Sequence, residues 1–142
     1  MSRLVIDSSV LVKWFVLEPY SAEARRILAG YQTGAIDLLA PDLLPAELGN
    51  ILWKKHLFQG LALADAELFL TGFPRFGISL VSSTGLLDDA FRLAVSHRRS
   101  VYDALYIALS VRENCPFVTA DEKLIRAVGA TFPNIVPLAG WP

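Results

Sequence analysis

Short apolar runs alternate along this chain with longer stretches whose apolar residues recur every three or four positions. The runs are RLVID (3–7), IDLLAP (36–41), GISLVS (77–82), PFVTAD (116–121) and NIVPL (134–138). Each is short enough for a buried strand and is bounded by Gly, Pro or a polar residue. The stretches between them read as helices. From Ser8 onward, Val10, Leu11, Trp14, Phe15 and Leu17 have helical spacing, and Pro19 helps end that helix. Further helices are read over 21–34, over 42–58 with Pro45 in the first turn, and over 61–73. Residues 84–97 carry Leu86, Leu87, Ala90, Phe91, Ala94 and Val95 on one face. Residues 100–111 form the most apolar helix, and 122–128 a short one ended by Gly129. Strands alternating with helices predict an α/β fold of three layers, α/β/α, around a parallel sheet of four to five strands. Such sheets form their sites outside the carboxyl ends of the strands.

Bulk composition narrows the class. At 142 residues, the expectation is one domain spanning 1–142. A hydrophobic content of 54% against 19% charged residues predicts a well-packed globule with apolar surface to spare, not disorder. The net charge of −1 argues against a protein that coats nucleic acid generically. Cys115 is the single cysteine, so no internal disulfide forms, and it reads as a small buried hydrophobe. No leader and no apolar run of membrane length is visible, so the expected setting is cytoplasmic, with no membrane partner.

Four carboxylates stand in apolar company. Asp7 closes the first strand and Asp121 the fourth. Glu47 lies in LLPAELGNILW and Asp103 opens SVYDALYIALSV. Singly, each has a plain explanation. Asp7 and Asp121 suit helix N-caps. Ser100 and Asp103 have capping-box spacing. Glu47 could pair with Lys54 or Lys55. Together they carry more weight, because the topology sends all four to one sheet edge. Like charges about 4 Å apart cost roughly 4 kcal/mol at an effective dielectric of ~20. A counter-ion is therefore expected, and hard, oxygen-seeking Mg²⁺ or Mn²⁺ suits carboxylates best. Zinc does not, since His56 and His97 lack partners at ligand spacing and read as helix-end residues. Asp88 and Asp89 read as a solvated helix start, and Glu18, Glu23, Asp37, Asp65, Glu67 and Glu113 as solvated positions.

The stretches VIDSSVLVKWF, PAELGNILWK, VYDALYIALS and FVTADEKL resemble, in order and spacing, the PIN domain, in particular the VapC-like toxins of prokaryotic toxin–antitoxin pairs. The resemblance covers essentially the whole chain. It implies an endoribonuclease dependent on Mg²⁺ or Mn²⁺, with Asp7, Glu47, Asp103 and Asp121 at the family's four acidic positions. Ser8 and Thr119 match its small hydroxyl positions near the site. It also implies an RNA substrate, a cognate VapB-like antitoxin and a homodimer.

Within that frame, Asp7 with Asp103 and Asp121 are the expected metal ligands. Glu47 is expected to act through water or to accept a proton. Arg98 and Arg99, just ahead of Asp103, are candidates for phosphate contact; Lys13 and Arg112 are more distant ones. Trp14, Phe15, Trp53, Leu57 and Phe58 read mainly as core, with a groove nearby for an antitoxin segment. The competing reading is a catalytically weak PIN-like module that binds RNA or a partner. A receiver domain would need adjacent acids after the first strand, and a haloacid-dehalogenase-type phosphatase a second aspartate at the position of Ser9. Neither pattern is present.

Overall fold

The computed structural model describes residues 2–142. Five strands form one parallel sheet: β1 (Ser2–Ile6), β2 (Ile36–Pro41), β3 (Ser79–Val81), β4 (Phe117–Thr119) and β5 (Ile135–Pro137), in the order β3-β2-β1-β4-β5. The helices around it are α1 (Ser8–Leu11), α2 (Ser21–Gln32), α3 (Leu44–Gln59), α4 (Leu63–Gly72), α5 (Leu87–His97), α6 (Val101–Glu113) and α7 (Glu122–Val128). The α/β sandwich with a parallel sheet is as the alternation required, with all five strands formed.

Position in the sheet follows from side-chain character. Leu4, Val5 and Ile6 are buried, as a strand covered on both faces must be. α6 packs over β1, β2 and β4, and Ala104 to Ser110 are all buried along it. The chain leaves β1 for β2 on one side, and β4 joins on the other. That reversal is the switch point at which parallel sheets open a crevice. Pairing of Ile6 with Val118 sets Asp7 level with Thr119 at this crevice.

Several expectations shift. The first helix is brief: α1 gives way to a 3-10 turn at Val12–Trp14, and Leu17 is 79% exposed. The Trp14 indole N–H donates to the Ala24 carbonyl at 2.8 Å, which anchors this turn on α2. On α5 the apolar set divides. Leu86, just ahead of it, and Ala90 and Ala94 are buried, whereas Leu87, Phe91 and Val95 face outward. Those six side chains span an arc wider than one buried helix face. α3 divides in the same way: Leu44, Leu48 and Leu52 are core, while Trp53, Leu57 and Phe58 are exposed, against the core reading. Trp14 is core as expected, and Phe15 stacks on Phe69.

Glu18 is not a solvated surface acid. Its carboxylate is gripped by Lys13 Nζ and Lys55 Nζ, each at 2.8 Å. Burial alone would raise its pKa, but the two ammonium groups hold it below the usual carboxylate range. Lys13 and Lys55 are thereby committed here, away from the strand-end carboxylates. His56 and His97 lie in the last turns of α3 and α5, and Cys115 is free and buried, as read from sequence. Among the described residues, no helix is long and apolar enough to cross a membrane.

Candidate active site

Asp7 directly follows β1 and is the N-cap of α1, its side chain taking the backbone N–H groups of Ser9 and Val10. The capping reading is therefore correct, and it accounts for only part of what holds this carboxylate. Ser9 Oγ donates to Oδ1 at 2.5 Å, and Thr119 Oγ1 donates to Oδ2 at 2.6 Å. Both hydroxyls also tie Asp7 to the end of β4. Ser9 Oγ accepts from Ala120 N–H at 3.0 Å, and Thr119 Oγ1 accepts from Asp121 N–H at 3.1 Å. The outcome is a carboxylate held on both oxygens by donors from two adjacent strand ends. Asp7 is 9% exposed and its pKa is pushed up to about 6, chiefly by burial, with Asp121 adding repulsion.

Asp121 caps α7 by accepting from Leu124 N–H at 3.1 Å. Asp103 stands in the first turn of α6, whose N-cap is Ser100; Ser100 Oγ accepts from Asp103 N–H at 3.1 Å. Burial raises the Asp103 carboxyl, Arg99 opposes that shift, and Asp121 adds to it. Glu47 lies in the first turn of α3, where Tyr106 Oη donates to its Oε1. Burial also raises Glu47, with Asp7 and Asp103 contributing and the Ser8 hydroxyl opposing. Asp7 and Asp103 thus each feel Asp121, and Glu47 feels Asp7 and Asp103.

Arg99 reaches Asp103 at 3.2 Å, so it borders the cluster. Its Nε is buried without a hydrogen-bond partner. Arg98 is exposed and ends α5 in the left-handed region, at φ 53°. Thr119 is wholly buried and spends its hydroxyl on Asp7, so it acts through that carboxylate and offers no free hydroxyl to a substrate. Ser8 stays at the rim with Glu47 and lines the cavity there. Arg112 pairs with Glu113 at 3.7 Å.

Two participants were missed from sequence. Ser9 enters the sequence reading as the place of an aspartate that is not there, yet it links Asp7 to Ala120. Tyr106 looked like one more apolar residue of α6, and its ring does stack on Phe117. The signal available for Tyr106 was its i+3 spacing from Asp103, which puts both on one helix face.

Carboxylate oxygens at one strand edge, with Asp7, Glu47 and Asp103 raised by burial, are a donor chemistry suited to a hard divalent cation. Among the described residues, no group of three or more acidic, histidine or cysteine side chains stands close enough together to hold a metal ion. Coordination by one or two carboxylates, with water completing the shell, is the arrangement Mg²⁺ ordinarily adopts.

The PIN domain family model matches residues 4–130. The chain is similar to Ribonuclease VapC3 of Pyrobaculum aerophilum, 34% identical over 125 residues, covering 86% of this chain and 92% of that protein. It is similar also to VapC ribonuclease Mb0985 of Mycobacterium bovis, 27% identical over 135 residues, covering 94% and 98%. Ribonuclease VapC1 of Mycobacterium tuberculosis is 29% identical over 130 residues, covering 91% and 93%. Among solved structures, that of PAE2754 from Pyrobaculum aerophilum superposes with a TM-score of 0.72 at 21% identity, covering 97% of this chain and 92% of that one. At that identity the likeness is one of fold.

Proposed function

This chain belongs to the PIN domain family, and on that premise we propose that it is a metal-dependent endoribonuclease, the toxin of a VapBC-type pair, working as a single domain. The observation that carries the reading is the carboxylate cluster at the β1–β4 switch point, with Asp7 held on both oxygens. The VapC ribonucleases it resembles are matched along nearly their whole length.

Asp7, Asp103 and Asp121 are the residues to hold Mg²⁺ or Mn²⁺. Such an ion supplies an acidified water as nucleophile and charge neutralisation at the phosphate. The chain's own groups do the rest. Ser9 and Thr119 fix the Asp7 oxygens, so the donor set does not reorganise at the moment of reaction. Glu47, raised by burial yet stabilised by Tyr106, is placed to accept a proton from the attacking water. Arg99, already beside Asp103, is placed to swap that carboxylate for a phosphate oxygen, with exposed Arg98 as a second cation. Ser8 at the rim completes the substrate side.

The exposed Trp53 and Leu57, four residues apart on α3, support a face that a VapB-like antitoxin segment covers. The outward stripe Leu87, Phe91 and Val95 on α5 supports a homodimer contact. The test is incubation of purified protein with total RNA, with Mg²⁺ and with EDTA. Cleavage is expected only with the ion and is expected to vanish in Asp7→Asn. Cleavage indifferent to EDTA overturns the reading.

A further inference from the structure

We propose that the cavity beside Glu47, between the start of α3 and the start of α6, is a subsite for one unstacked nucleobase next to the scissile phosphate. The inference rests on the ribonuclease reading above. The cavity measures about 380 Å³ and shares Ser8 and Glu47 with the carboxylate site. Its other walls include Asn50, Ile51 and Tyr102. Tyr102 precedes Asp103 directly and is 62% exposed, an aromatic ring left in water at the edge of a charged site. Asn50 lies three residues after Glu47 on α3, one helical turn further along, and is also exposed.

The chemistry of these walls selects the occupant. A second phosphate is disfavoured there, since Glu47 brings negative charge and no Lys or Arg lines the cavity. A nucleobase is neutral, planar and attached one sugar away from the phosphate it accompanies. Single-stranded RNA is read in this way, by bases splayed out onto aromatic rings and hydrogen-bonded at their edges. Tyr102 supplies the ring and Ile51 an apolar wall. The Asn50 amide supplies one donor and one acceptor group, which is enough to favour some base edges over others. Arg98 and Arg99 lie just before α6, so the backbone can run along them while the base turns inward.

The test begins with a short single-stranded oligoribonucleotide spanning a cut site mapped in total RNA, and a copy lacking the base beside the scissile phosphate. Tyr102→Ala is expected to weaken binding of the intact oligonucleotide by about tenfold, within the range for loss of one base–aromatic stack. Tyr102→Phe, which keeps the ring, recovers most of that loss. The abasic copy is expected to bind the parent protein about tenfold less tightly and Tyr102→Ala no more weakly than the intact copy, because the two changes remove one interaction. The slope of affinity against salt stays the same, since no charge is altered. Asn50→Ala is expected to shift which base is preferred at that position.

If the parent protein cuts RNA in Mg²⁺ but neither Tyr102→Ala nor the abasic copy changes affinity, the subsite is overturned and the ribonuclease stands. If the parent neither binds nor cuts RNA, the ribonuclease reading falls and takes the subsite with it. If Tyr102→Ala alters sedimentation of the protein and leaves RNA binding untouched, the surface is a protein contact and the subsite is again overturned.

Discussion

The two sides of the carboxylate cluster are built differently. Asp7 sits at a strand end and is held by Ser9, Val10 and Thr119 together. Glu47 and Asp103 sit on helices, and each side chain has one strong partner, Tyr106 and Arg99 respectively. The strand side is over-determined: two hydroxyls and two backbone amides hold Asp7, and both hydroxyls are themselves fixed by backbone N–H groups just beyond β4. The helix side is held lightly and borders the open cavity. On the proposed function, the difference is a division of labour: the sheet would fix where an ion sits, and the helices would leave room for a substrate to displace existing contacts.

The sharpest way to break that comparison is Asp7→Asn. RNA cleavage is expected to fall by ~10³-fold or more, beyond the 10–100-fold cost of losing an outer partner. Stability is expected to move the opposite way. The Asp7 carboxyl has a folded-state pKa of about 6 against a reference of 3.8. Protonated Asp7 therefore favours the fold below pH 3.8, and that contribution is lost as pH rises through about 6. In EDTA at pH 8 the variant is expected to be more stable by up to ~3 kcal/mol in urea unfolding, with the gain disappearing near pH 4. A gain that persists at pH 4 removes burial of the charge as its cause.

Thr119→Val tests the strand side without touching a carboxylate. It deletes a donor to Asp7 and an acceptor for the Asp121 N–H. Activity at saturating RNA is expected to drop ~10–100-fold, as for an outer partner of a metal ligand. Titration with Mg²⁺ is expected to show weaker dependence on each added ion increment, with a higher midpoint.

Tyr106→Phe applies the same deletion to the helix side and is expected to cost less, ~10-fold or under, because Ser8 and solvent remain near Glu47. Tyr106 lowers the Glu47 pKa, so its loss raises it, and the acid limb of the pH–rate profile is expected to move to higher pH. A cost equal to that of Thr119→Val would erase the distinction between the two sides.

Arg99→Ala is the mildest change. Binding of RNA is expected to weaken a few-fold, with the salt slope reduced by about 1, as for loss of one phosphate contact. An unchanged slope would restrict Arg99 to its ion pair with Asp103.

Much of this was legible in the primary structure, for identifiable reasons. Strand ends announced themselves at Asp7 and Asp121, where apolar runs meet an acid. IDLLAP gave β2 at its observed bounds, because Pro41 and the flanking polar residues leave little latitude. The exposed half of α5 and the exposed Trp53 were not legible, since periodicity marks an apolar face without saying which arc the neighbours cover. Glu18 was misread because its two lysines come from α3 and from the turn after α1, and no local spacing joins them.

The sequence by itself determined the alternation of strands and helices, the parallel sheet that alternation imposes, and which acids stand among apolar neighbours. These are short-range consequences of period, capping and burial. Only the tertiary structure decided that Ser9 and Thr119 would clamp Asp7 and that Tyr106 would claim Glu47. It also decided that Tyr102 would be left in water beside a cavity. Thr119 reaches Asp7 across 112 positions and Tyr106 reaches Glu47 across 59, while Ser9, a near neighbour of Asp7, ties it to Ala120 across 111. These contacts exist because β1 and β4 pair in one register, and α6 packs across them at one height.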